Sequence, residues 1–135
     1  MSMKAVGEFD VKMSPVTERS RDGLSNGLFL LEKSFRGDLS AAGLGEVLTG
    51  MGSVEGAASY VAIEKITGTL NGLSGSFMLA HKASMSAAEQ TMDISVVPDS
   101  GTDELQGIDG LFFIKIDAGK HFYEFDYTLG DQQQN

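Results

Sequence analysis

The run Ile66-Thr67-Gly68-Thr69-Leu70-Asn71-Gly72-Leu73-Ser74-Gly75-Ser76-Phe77 decides the fold. Asn71-Gly72 separates two strand-like stretches, and a two-residue type I′ turn needs positive φ at both central residues, which Asn and Gly adopt at least cost. Read as a two-residue loop, it sets Leu70 opposite Leu73, Ile66 opposite Phe77, Glu64 opposite Leu79 and Ala62 opposite His81. Side chains two apart share a face. One face of this ribbon therefore carries Tyr60, Ala62, Glu64, Ile66, Phe77, Leu79 and His81, and is the more apolar. The other carries Val61, Ile63, Lys65, Thr67, Ser76, Met78 and Lys82. Glu64 is the one charged residue of the apolar face. His81 is its diagonal neighbour, with Cα atoms roughly 7–8 Å apart.

The same period of two recurs on either side. Ala5, Gly7, Phe9, Val11 and Met13 alternate with Val6, Glu8, Asp10 and Lys12. Met92, Ile94 and Val96 alternate with polar residues, and so do Tyr123, Phe125, Tyr127 and Leu129. Alternation of this kind marks antiparallel sheet with one buried face. Strands are predicted near residues 3–16, 27–36, 39–50, 58–70, 73–84, 88–98, 110–117 and 120–129. Asp22-Gly23, Asn26-Gly27, Arg36-Gly37-Asp38, Ser100-Gly101 and the hairpin Asp117-Ala118-Gly119-Lys120 punctuate them. Ser84 to Gln90 is too short to require a helix. The expectation is an all-β chain: a single antiparallel β-barrel of about eight strands over residues 1–135, with 131–135 a frayed polar tail. Gly43 and Gly45 fall on one face of a strand, where missing side chains let a sheet coil tightly.

Composition narrows the function classes. The 135 residues include no cysteine, which excludes disulfides and thiolate chemistry. Nineteen acidic and ten basic side chains give a formal charge of −9. With no basic stripe to offset it, that balance argues against nucleic acid and anionic membranes as partners. Lys4, Glu8, Asp10 and Lys12 interrupt the amino terminus, unlike a signal peptide. No apolar run approaches the ~20 residues of a membrane-spanning helix, so a cytoplasmic location is expected. Gly43-Leu44-Gly45 lacks the third glycine of a dinucleotide fingerprint. Asp99, Asp103 and Asp109 do not have calcium-loop spacing. No cofactor and no metal is expected.

Glu64 and His81 form the candidate catalytic pair. Burial raises a carboxylate's pKa and a nearby imidazolium lowers it, so such a pair can exchange protons with a substrate. The competing reading is a satisfied polar network that fixes register inside a barrel. Tyr60 and Phe77 share their face and are candidate ligand contacts. Glu32, beside Leu28 and Leu30, and Glu46, beside Leu44 and Leu48, join them if they point inward. His121 is expected opposite Ile116 at a strand end.

Residues 58–77, from Ala58 to Phe77 and followed by His81, resemble the bacterial domain-of-unknown-function family 3224. Val97-Pro98-Asp99-Ser100-Gly101-Thr102-Asp103-Glu104-Leu105-Gln106-Gly107-Ile108-Asp109-Gly110 is similar to its second block, and Tyr123 to Leu129 to its closing strand. Tyr60, Glu64, Gly68, Gly72, Gly75, Ser76, Phe77 and His81 match. Ala62 stands where a glycine is expected and Ala80 where a glutamine is common. The resemblance implies a small barrel of the allene oxide cyclase type, and it implies no activity. Three functions stay open. One is a barrel that binds a small apolar or amphipathic molecule. Another is an isomerase, cyclase or hydrolase working through Glu64 and His81, and the third is a structural protein with a filled barrel. Sheet edges that need covering argue for a homo-oligomer, a dimer before a trimer.

Overall fold

Three two-residue turns organise the sheet, each with both central residues at positive φ: Asp22-Gly23, Asn71-Gly72 and Ala118-Gly119. The computed structural model describes residues 2–130; the expected frayed tail lies outside them. The strands are β1 (Met3–Arg21), β2 (Leu24–Gly37), β3 (Leu39–Met51), β4 (Ala58–Leu70), β5 (Leu73–Met85), β6 (Gln90–Val96), β7 (Asp109–Asp117) and β8 (Lys120–Thr128). Each runs antiparallel to the next, and β8 pairs with β1 to close an eight-stranded barrel. The β4–β5 register is the one read from Asn71-Gly72, with Glu64 opposite Leu79 and Ala62 opposite His81.

Two expected boundaries move. Asn26-Gly27 is no turn but lies inside β2, paired with Gly50 and Thr49 of β3. The β1–β2 hairpin consequently reaches out to Arg21 and Leu24. Its register slips between Pro15 and Thr17, next to a proline that cannot donate to the ladder. β6 ends early, because residues 97–108 leave the sheet and run along the first half of β5. There the Met78 and Ser76 amides donate to Ser100 Oγ and Thr102 Oγ1, and Ser74 N–H donates to Glu104. A short 3-10 turn, Asp103–Leu105, was not foreseen. It drives Leu105 into the barrel end, and Ile108 follows.

The interior is divided along the barrel axis. At the end plugged by Leu105, the side chains of Leu39, Leu70, Phe77, Leu79, Phe125 and Tyr127 fill the barrel solidly. At the other end the walls diverge. β1 pairs with β8 no farther than Phe9, so Asp10 to Arg21 stands free of β8. β6 and β7 share one paired position, Ser95 with Leu111, and toward this end residues 90–94 and 112–117 are not paired with each other. Closure covers the sheet edges at the plugged end and leaves β1 uncovered beyond Phe9. The edge left by β1, from Asp10 to Arg21, carries Lys12, Pro15, Glu18, Arg19 and Arg21, residues that blunt edge pairing. The barrel's outer face is unusually apolar across β2–β4, where Leu30, Leu44, Leu48, Val61 and Ile63 are exposed. No helix is long and apolar enough to cross a membrane among the described residues.

Candidate functional site

The division between filled and open halves falls at Glu64. Its side chain is 0% exposed. His81 Nε2 donates to Glu64 Oε1 at 2.9 Å, so the pair expected from the register meets directly. A third member comes from β2: Lys33 Nζ donates to the same Oε1 at 3.2 Å. The ammonium also rests over two aromatic faces, 4.9 Å from the centroid of Phe9 and 5.8 Å from that of Phe35. Burying a carboxylate or ammonium alone is prohibitive, so each member makes the others tolerable. Glu64 Oε2 is buried without a hydrogen-bond partner among the described residues. It occupies the space that Gly43 leaves by having no side chain.

Lys33 was not among the residues singled out from the sequence. The signal for it was the company it keeps on its face of β2, where Phe29, Leu31 and Phe35 all turn inward with it. Glu32 and Glu46 are corrected. Both are exposed on the outer face, beside Leu30 and between Leu44 and Leu48, and neither enters the interior. Glu46 borders a shallow outer depression of about 560 Å³. Ala62 and His81 also border it, but their side chains belong to the buried face.

Above the triad the open end holds a cleft of about 230 Å³. Leu31, Val47, Met13, Met92 and Ile114 wall it with apolar surface, and Lys33 is part of its floor. A second cleft of about 240 Å³ adjoins it, sharing Met13, Thr49 and Tyr60. Tyr60 thus lines both, with its ring centroid 6.5 Å from that of His81. Burial, and secondarily the charge of Glu64, pushes its hydroxyl above the usual pKa of 10.0. His121 lies opposite Ile116 as expected. It borders the first cleft, with its ring 5.2 Å from that of Phe9. Phe77 is a core residue, 1% exposed and stacked on Phe125 in the filled half. Neither Glu64 nor His81 borders the two mouth clefts; Lys33 connects them to that space. Among the described residues, no group of three or more histidine or acidic side chains is placed to hold a metal ion.

Residues 5–127 match the family model described as "Protein of unknown function (DUF3224)". The chain is also similar to a solved protein of unknown function of that family from Shewanella oneidensis MR-1. The two share 40% identity with a TM-score of 0.92, over 97% of this chain and 100% of the other. No curated protein matches.

Proposed function

We propose, for a chain that belongs to the DUF3224 family of proteins of unknown function, that the open end of the barrel binds a small amphipathic molecule. The observation that carries this reading is the mouth cleft: apolar walls from five strands around a floor that holds one ammonium. Ligand sites of this kind bury an apolar body and orient it with few polar groups. A structural barrel would be filled from end to end, whereas here the main core gives way beyond Glu64 to a small cluster of Leu31, Val47 and Ala62 with open clefts beside it. An acid–base enzyme needs its proton-transfer group within reach of the substrate. Glu64 is wholly enclosed and does not border the cleft, so binding is favoured over catalysis.

The seven methionines make the test site-specific. Met13 and Met92 line the cleft, while Met3 packs against the filled half. Titration with 1-octanol, followed through 13C-labelled methionine methyl signals, is expected to shift Met13 and Met92 and leave Met3 in place. No shift at Met13 and Met92 up to the solubility of octanol would overturn the reading.

A further inference from the structure

We infer that the molecule received by the mouth cleft carries a carboxylate, held by the ammonium of Lys33; this rests on the cleft-binding reading above. The charge distribution leads to it. The chain has nearly two acidic side chains for every basic one. Yet no aspartate or glutamate borders the first cleft, and the basic side chains there are Lys33 and His121. Apart from Glu64 beneath Lys33 and Glu18 on the adjoining cleft, acidic side chains lie elsewhere, so the full charge that the first cleft presents is an ammonium.

Lys33 is built to receive an acceptor. An ammonium has three N–H donors. Glu64 Oε1 is the one hydrogen-bond acceptor it meets among the described residues, and the Phe9 and Phe35 rings lie beneath it. Its side chain is 5% exposed, so water supplies little of the remaining demand. Glu64, fixed by His81, holds the ammonium in place but leaves donors over. A carboxylate satisfies them with charge-assisted bonds, which are about twice as strong as neutral ones.

Other head groups fit less well. A ligand ammonium would face Lys33 with no carboxylate on the cleft wall to receive it, because Glu64 is enclosed. A phosphate dianion would bring two charges to one fixed cation. The volume limits the body: about 230 Å³ corresponds to roughly eight water-sized groups of ~30 Å³. A medium-length apolar monocarboxylate is the class that fits. The negative charge of the whole protein is screened beyond ~8 Å at physiological salt, so it does not prevent an anion from entering the mouth.

The test is a matched series of eight-carbon probes, sodium octanoate, 1-octanol and octylammonium chloride, titrated calorimetrically into the wild-type protein. Octanoate is expected to bind at least about tenfold more tightly than octanol, as hydrogen bonds to a charged group imply. Octylammonium is expected to bind most weakly. Lys33→Met should erase the preference for octanoate while keeping octanol affinity. Because that variant leaves Glu64 without its cation and risks misfolding, Lys33→Met with Glu64→Gln removes both charges and serves as the second test. Equal binding of octanoate and octanol, or a preference that survives the double variant, overturns the carboxylate assignment and leaves the cleft reading standing. Failure of all three probes to bind overturns both.

Discussion

A methyl group added at Gly43 would overlap Oε2 of Glu64, on the neighbouring strand. The vacancy on β3 is the space that the buried carboxylate occupies. Gly43→Ala is therefore expected to push Glu64 away from Lys33 and His81, with Phe35, 3.2 Å from the new methyl, blocking relaxation on the other side. Overpacking of this kind costs about 1–3 kcal/mol. Urea unfolding measures it, and a variant as stable as the parent would show that the carboxylate moves freely.

Replacing Glu64 by Gln keeps the volume but leaves the Lys33 ammonium buried without a counter-charge. The expected loss is about 3 kcal/mol, at the lower end for a broken buried pair because Gln still accepts a hydrogen bond. Lys33→Met added to Glu64→Gln should recover most of it. If the two single losses simply add, the side chains are not coupled.

Tyr123 ties three strands together. Its hydroxyl donates to Arg36 O at 2.8 Å and accepts from Leu39 N–H at 2.8 Å, bracing the β2–β3 turn from β8. Tyr123→Phe strands the buried Leu39 amide, at a cost of about 1–3 kcal/mol. A drop in the urea midpoint with an unchanged slope is the expected signature.

Alkaline pH should weaken the fold through tyrosine. Burial raises the hydroxyl pKa of both Tyr60 and Tyr123 above 10.0. Below that pH both phenols are neutral in the folded and unfolded chains, so their contribution is fully present. As pH rises past 10.0 the unfolded chain ionises first, and stability falls until the folded-state pKa is passed. Tyr60→Phe should flatten this decline in urea midpoints measured between neutral and strongly alkaline pH. An equally steep decline would exclude Tyr60 as a contributor.

Hydrogen exchange should be uneven around the barrel. β4 and β5 pair at thirteen positions, whereas β6 and β7 pair at one. Amides of β4 and β5 are expected to open only with global unfolding. Those of β6 that face β7 should exchange much sooner. Uniform protection would contradict the seam.

The β4–β5 site was legible because a two-residue turn counts outward from a fixed point, which placed Glu64 and His81 on one face without further assumptions. β2 has a comparable turn at Asp22-Gly23, but Leu28-Phe29-Leu30-Leu31 is apolar on both faces and does not say which one is buried. The sequence therefore leaves the direction of Glu32 open and does not mark Lys33 as inward. β3 misled for a related reason. Its inward positions include Gly43 and Gly45, so the large apolar residues nearest Glu46, Leu44 and Leu48, are on the outer surface. The plug at Leu105 depends on long-range contacts with β5, which no local period encodes.

The plug gives the barrel a single doorway. Leu105 and Ile108 seal one end, so a molecule held at the mouth has no passage through to the far side. Under the proposed binding, entry and exit would share one route. The barrel is shaped as a cup, closed at one end and open at the other, and not as a conduit.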